Sequence, residues 1–347
     1  MPVTIRDVAK QAGVSITTVS RALNGYPDVS LETKRKIHEI AKELGYQPST
    51  LARGLVMKKT HSVGLVVEDL SKSRKGHHFM FDILCGVHDR ANELGYDVIL
   101  FTVSSAEQRE TSYADLCKAR QVDGAILMGI RLDDIYLHDI LQSDIPCVML
   151  DVPFVGSVYG SVSSENVHGA KSAMRHLCKL GHKKIGFING HQQAAVSQER
   201  FEGYLQALEE AGIAFDARYV YYGNFEQIDG ENGVKELESR DPEISAYFCA
   251  SDLMALGAVN YLRSTGRHVP ADVSVVGFDG IDLAFMTYPS LTTVVQDRYE
   301  MGKQAANLLV GILNGESGKR IVLPAYLHEG QSTAAAPQTI RMSGNCM

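Results

Sequence analysis

From Ser62 to about Phe278 the chain alternates short apolar runs with amphipathic stretches, and this restricts its fold more than any other feature. Runs at Val63–Val67, Val98–Thr102, Ala125–Met128 and Val148–Leu150 read as strands; a second set follows at Lys184–Ile188, Tyr219–Tyr222, Ala246–Ala250 and Val273–Phe278. Helical segments lie between them, several stopped by glycine, as at Leu94-Gly95, Leu180-Gly181, Ala211-Gly212 and Thr265-Gly266. A strand followed by a helix and another strand returns in the same direction, so each set predicts a parallel, doubly wound sheet. Two sets imply two similar α/β lobes. The cleft between them should face the carboxyl ends of the strands, where such sheets take their ligands.

The first 60 residues obey another pattern. In TIRDVAKQAGVSITTVSRALNG, residues 4 to 25, Thr4 caps a helix with apolar Ile5, Val8, Ala9 and Ala12. Gly13 breaks it, Val14 plugs the turn, and Ser15 caps a second helix running to about Asn24, with Gly25 as its stop. Such a pair about a tight turn is a helix-turn-helix, whose second helix is built to enter the major groove of DNA. Helix–Gly–helix patterns also occur in ordinary bundles, but two features favour the DNA reading. A third amphipathic helix follows, capped by Ser30, carrying Leu31, Ile37, Ile40, Ala41 and Leu44, and stopped by Gly45. The local charge is also reversed: ten Lys and Arg against five acids make residues 1–60 +5, while the chain is −7, leaving −12 for the remainder. A basic head on an acidic body is the electrostatic footprint of a modular nucleic-acid binder.

On this reading Ile16, Thr17 and Arg21 face the bases. Arg21 suits guanine, and Ile16 offers apolar contact, for instance to a thymine methyl. Thr4, Ser15, Thr18, Asn24 and Ser30 are expected to fix the register by bonding phosphates.

Residues 47–60 read QPSTLARGLVMKKT. Pro48 ends the third helix and Ser49 offers a new cap for a short helix over Thr50–Val56, too short to be stable alone. Its apolar face of Leu51, Ala52, Leu55 and Val56 suits insertion into a minor groove, with Leu55 as the wedge that unstacks a base step. The other reading of this segment is an ordinary flexible linker.

At 347 residues the chain suits two or three domains. No apolar run approaches the roughly 20 residues of a membrane helix, and MPVTIRDVAK has no signal-peptide core, so a cytoplasmic protein is expected. Six scattered cysteines (85, 117, 147, 178, 249 and 346) form no CxxC pair, and the histidines show no ligand spacing, so no metal is expected. GESGK at 315–319 fails as a phosphate loop, because Leu313 stands where glycine is needed and Arg320 where Ser or Thr is. No GxGxxG follows the first strand and no GxSxG is present, so neither enzyme nor cofactor is expected. The tail has Pro337 and no leucine heptad, which points to a dimer rather than a coiled-coil tetramer.

The head, the hinge YQPSTLARGL and the core segments GHKKIGFI, SDLMALGAV, VSVVGFDG and PSLTTVVQD resemble the lactose/galactose repressor family from about Thr4 to Gly330. That resemblance implies an all-α helix-turn-helix head on a periplasmic-binding-protein-like α/β core. It assigns 1–48 to the head, 49–60 to the hinge and linker, and 61–347 to the core. Three crossings between lobes are implied near 163, 292 and 325, giving lobe 1 about 61–162 and 293–324, and lobe 2 about 163–292 and 325–337. It further implies a bacterial homodimer, acting on the nucleoid, that represses from a palindromic double-stranded operator under a small-molecule effector, most often a sugar. Carried over by motif, the effector contacts are Phe79, Asp151, Arg200, Phe225, Ser251, Asp279 and Gln296. The other reading of Arg200 and Asp279 is an inter-lobe salt bridge or a strand-end cap. The chain departs from the family at the cleft lip, where His77-His78-Phe79-Met80 replaces an Asn-Pro-aromatic-aromatic run, and Ser251 replaces an amide. Ala194 and Val196 argue against a purine corepressor. An alternative within the same fold is a catabolite-control regulator that takes a phosphocarrier protein as corepressor on its first lobe.

Overall fold

The computed structural model describes residues 3–24, 26–46, 59–68, 78–103 and 110–337. The chain divides into two compact units, one up to Ser62 and one from Val63. The expected hinge helix with Leu55, Gly25, His77 and Cys346 lie outside the described residues.

The first unit holds helices α1 (Ile5–Ala12), α2 (Ile16–Leu23) and α3 (Leu31–Leu44). Each starts on a hydroxyl residue. Ser15 accepts the Thr18 N–H at 3.0 Å, and Ser30 accepts that of Thr33 at 3.2 Å. At Thr4 the reciprocal half dominates, for Asp7 takes both the Thr4 N–H (2.8 Å) and its hydroxyl (2.7 Å). Gly13 supplies the left-handed turn between α1 and α2 at φ 71°, a conformation that costs a residue with a Cβ. Lys36 donates to the Ala12 carbonyl at 3.1 Å, tying α3 to the end of α1. Val8, Ala9, Ala12, Val19, Ala22, Val29, Ile37, Ile40 and Ala41 close the small core.

The second unit holds two six-stranded sheets. The first is built from β1 (Ser62–Glu68), β2 (Asp97–Val103), β3 (Gly124–Met128), β4 (Cys147–Leu150), β5 (Tyr159–Ser164) and β11 (Arg320–Leu323). Their order is β11-β5-β4-β3-β1-β2, with β1, β3, β4, β5 and β11 parallel. Helices α4 (His78–Glu93) and α12 (Arg298–Leu313) pack on one face, and α5 (Tyr113–Arg120) and α6 (Ile135–Gln142) on the other.

The second sheet takes β6 (Ile185–Asn189), β7 (Val220–Tyr222), β8 (Ala246–Cys249), β9 (Ser274–Asp279), β10 (Thr292–Gln296) and β12 (Ala325–His328) in the order β12-β10-β9-β8-β6-β7. Only β12 runs antiparallel to its neighbour. Its helices are α7 (Asn166–Lys179), α8 (Ala195–Glu210), α9 (Gln227–Arg240), α10 (Asp252–Ser264) and the short α11 (Asp282–Met286). Stacked rings of Phe187, Tyr204 and Phe248, with centroids 4.9 and 5.0 Å apart, anchor its core.

Two parallel doubly wound lobes are therefore present, with strands the periodicity did not mark. β5, β10, β11 and β12 all lie next to the crossings between lobes. The chain passes over between β5 and α7, between β10 and α12, and at Pro324 between β11 and β12. One expected boundary moves: Thr293–Gln296 were assigned to the first lobe, but β10 belongs wholly to the second sheet, held by β9 and β12. The second crossing therefore follows Gln296.

Candidate functional site

In the head, α2 leaves Ile16, Thr17 and Arg21 exposed while Val19 and Ala22 pack inward. Ile16 is 45% exposed on the first turn, an unusual place for an isoleucine with nothing to cover it. Ser15, Thr17, Thr18, Arg21 and Ser30 line one concavity, together with Asp28, Val29 and Thr33. Thr4, Ser15 and Ser30 are exposed, and Thr18 and Asn24 part-buried. The N-termini of α2 and α3 meet in this concavity, and both present N–H groups and hydroxyls suited to an anion.

In the core, the carried-over residues converge on the carboxyl ends of the strands. Arg200, on the first turns of α8, is 3% exposed. Its Nε donates to Asn166 Oδ1 at 2.9 Å, its Nη1 donates to the Ala250 carbonyl and lies 3.5 Å from Asp279 Oδ1, and its guanidinium sits 3.8 Å from the centre of the Phe278 ring. Asp279 ends β9, and its Oδ1 accepts from Gln296 Nε2 at 2.8 Å. All these groups belong to the second lobe, so the Arg200–Asp279 pair is not an inter-lobe salt bridge. Bridges between lobes are formed by other residues: Arg298 binds Asp82 of α4 at 2.7 Å while donating to the Asp279 carbonyl at 2.5 Å, and Arg320 reaches Glu199 at 2.9 Å.

Asp151 follows β4 on the first lobe, facing the charges of Arg200, Glu199 and Asp279. Its buried Oδ1 has no hydrogen-bond partner among the described residues, and the same holds for Gln296 Oε1 and Ser197 Oγ. Burial pushes the Asp151 carboxyl up to about 7, with the nearby Arg200 charge opposing the rise. Burial likewise raises Asp279, against the pull of Arg200 and Arg298.

Phe79 packs against the cores of both lobes, at the lip. Phe225 lies part-buried against the second core, and Gly190 is glycine because a Cβ there would stand 2.0 Å from the Phe225 ring. Ser251 is the cap of α10, accepting the Met254 N–H at 3.3 Å, which leaves its proton and one lone pair to offer. Across the cleft, the Leu132 N–H donates to the Gln193 carbonyl at 2.8 Å and Arg131 lies 3.2 Å from His191, so the lips touch.

Backbone geometry singles out the same place. Five non-glycine residues among those described have positive φ, and three are Asp151 (62°), Phe225 (66°) and Asp279 (119°). Such conformations persist only where surrounding structure over-determines them, and they cluster at binding sites.

Reading the sequence missed Asp252. This carboxylate is fully buried behind Asp279, accepting the Thr293 hydroxyl at 2.5 Å and the Ile281 N–H at 2.9 Å; burial and the Asp279 charge raise it. Gly277 of the GFDG motif makes its room, since a Cβ there would stand 2.2 Å from Asp252 Oδ1. Asn166, Arg298 and the Glu199–Arg320 pair were missed as well. For Asn166, Asp252 and Arg298 the available signal was a polar residue within three places of a strand end, in SSEN, CASD and VVQDR.

Comparison with known proteins agrees with both units. Residues 4–49 match the family described as bacterial regulatory proteins, lacI family, and residues 174–333 match the periplasmic binding protein-like domain. The chain is 35% identical over 330 residues to the HTH-type transcriptional regulator RegA of Clostridium saccharobutylicum, covering 95% of this chain and 97% of RegA. It superposes on the transcriptional regulator CelR in its cellobiose complex with a TM-score of 0.74 at 33% identity, covering 95% of this chain and 99% of CelR. On the lac repressor dimer bound to operator and the anti-inducer ONPF the TM-score is 0.79 at 26% identity, covering 96% of this chain and all of the repressor chain. These relatives are transcriptional regulators rather than enzymes. No helix among the described residues is long and apolar enough to cross a membrane. The chain belongs to the lacI family of bacterial transcriptional regulators.

Proposed function

We propose that this protein is a cytoplasmic, non-enzymatic repressor that binds a palindromic operator as a homodimer and releases or tightens it when a carbohydrate enters the cleft. The observation that carries the effector half is the unmatched polar surface of the cleft. Among the described residues, Asp151 Oδ1, Gln296 Oε1 and Ser197 Oγ are buried without partners, and Arg200 Nη2 donates to none. A buried polar atom without a partner costs about 1–3 kcal/mol, and vicinal hydroxyls are the groups that satisfy carboxylate, amide and guanidinium together. Phe79 and Phe225 supply apolar faces for a ring. CelR is solved with cellobiose, which supports a sugar here. These unmatched oxygens favour a small molecule over the catabolite-control alternative, in which a protein corepressor docks on the first lobe.

The DNA half rests on the exposed face of α2, with Ile16, Thr17 and Arg21 as base readers. Thr4, Ser15, Thr18, Asn24 and Ser30 serve as phosphate contacts, and Leu55 of the hinge is the proposed minor-groove wedge. Pairing of two chains is supported by a run of exposed apolar side chains about α11, with Met286 79% and Tyr288 80% exposed beside Leu283 and Phe285.

A thermal-shift screen against mono- and disaccharides, sugar phosphates and nucleobases tests the effector half. A ligand at 100 times its Kd adds about 2.7 kcal/mol of stability. A rise in Tm with a sugar, lost in Asp151→Asn, is expected. Stabilisation by nucleobases alone would overturn the carbohydrate reading.

A further inference from the structure

The base reader Arg21 is already held by an acid. Its Nη2 lies 2.7 Å from Asp28 Oδ2, and its guanidinium stands 5.0 Å from the centre of the Tyr26 ring. Both Asp28 and Tyr26 come from the segment between α2 and α3, and Asp28 lines the same concavity as Ser15, Thr17, Thr18 and Ser30. Its Nε and Nη1 donate to no described residue.

We propose that Asp28 is a specificity-determining positioning residue: it fixes the Arg21 guanidinium so that its free edge reads guanine. The inference rests on the DNA-reading role of the head given above. An arginine alone on a helix surface has several rotatable bonds, and binding guanine O6 and N7 in bidentate fashion must immobilise all of them. Anchoring one Nη2 N–H on Asp28, with Tyr26 behind the plane, restricts that freedom before DNA arrives and leaves the second Nη2 N–H, with its neighbouring nitrogen, as the fork for the base. The same carboxylate has a second consequence. Placed among phosphate-contacting hydroxyls and helix N-termini, it repels any backbone approach in which Arg21 is not engaged with a base. Asp28 therefore favours the specific complex and disfavours the non-specific one. Correct readout comes from an attraction and a repulsion held by one ion pair.

The test is selection of bound sequences from a random double-stranded library by the full-length protein, in parallel for wild type, Arg21→Ala, Asp28→Ala, Asp28→Asn and Asp28→Glu. Melting temperatures establish that each is folded. Arg21→Ala identifies the guanine that Arg21 reads. Asp28→Ala and Asp28→Asn are expected to lower the preference for that guanine by about ten-fold, within the discrimination of one bidentate contact, and to raise affinity for random-sequence DNA several-fold. Asp28→Glu is expected to retain the preference. Unchanged guanine preference in folded Asp28→Ala and Asp28→Asn overturns the inference while the DNA-reading role stands. Loss of affinity for specific and random DNA alike would also overturn it, showing a merely structural residue. A wild-type selection without any consensus would overturn the role of the head, and this inference with it.

Discussion

The two walls of the cleft are built on opposite plans. On the second lobe Arg200 binds Asn166 and Asp279, Gln296 binds Asp279, and Asp252 is held by Thr293 and the Ile281 N–H, so most of their polar atoms are matched within that lobe. The first lobe offers Asp151, whose inner oxygen is unmatched. One wall is largely preorganised and leaves Gln296 Oε1, Ser197 Oγ and Arg200 Nη2 open to a ligand. The other wall depends on a ligand to complete it. A molecule bridging them joins a fixed surface to an unsatisfied one, which is how a small ligand can set the angle between lobes.

That contrast breaks most sharply at Arg200. Arg200→Ala leaves buried Asp279 with Arg298 alone as counter-charge and strips Asn166 Oδ1 and the Ala250 carbonyl of their donor, and should cost about 3–5 kcal/mol, measurable as a lowered urea midpoint of the core. A change below about 1 kcal/mol would show that the second wall is not preorganised by this charge. Asp151→Asn is the opposite case. Stability at pH 7 should hold or rise slightly, while sugar affinity falls by about 1.5–3 kcal/mol, the value of a hydrogen bond to a charged group, as read by titration calorimetry. Equal losses of stability in the two variants would erase the distinction between the walls. At Gly277, the added methyl of Gly277→Ala meets Asp252 Oδ1 and should destabilise the core by about 1–3 kcal/mol without touching the ligand, which thermal unfolding reports.

The smallest effect is the pH dependence of binding. The Asp151 carboxyl is raised in the folded chain, so its proton is held more tightly folded than unfolded, and its contribution to stability falls as pH rises from about 4 towards about 7. Sugar hydroxyls donate to the ionised form, so binding should release a proton below pH 7. Affinity should then climb by at most about ten-fold per pH unit before levelling off. Flat affinity from pH 5.5 to 7.5, with no dependence on buffer ionisation heat, would remove Asp151 from the ligand shell.

Legibility from sequence followed the same physics. Strands whose apolar runs are buried on both faces, such as CVML and SVVGFD, stand out from their surroundings. YGSVSS does not: serines fill buried positions on β5, and Ser161 and Ser163 carry no hydrophobic signal. RIVL and AYLH are four residues each with Pro324 between them, too short to separate from a loop. Since all three lie at crossings, the lobes were legible while their joints rested on resemblance, and the second joint was misplaced by four residues. At the candidate site, Arg200 and Asp279 were proposed by motif, and the structure sets them 3.5 Å apart. Asp252 was hidden because an acid one place after a serine cap is what any helix N-terminus favours.

The most direct test measures operator affinity by fluorescence anisotropy, using a sequence selected by the wild type, with and without the stabilising sugar, for wild type and Asp151→Asn. The wild-type Kd should shift with sugar by about 5–150-fold, the range of a coupling worth about 1–3 kcal/mol. Asp151→Asn should bind operator as tightly as wild type and lose that shift. An operator Kd indifferent to sugar in the wild type, or an undiminished response in Asp151→Asn, would contradict the account.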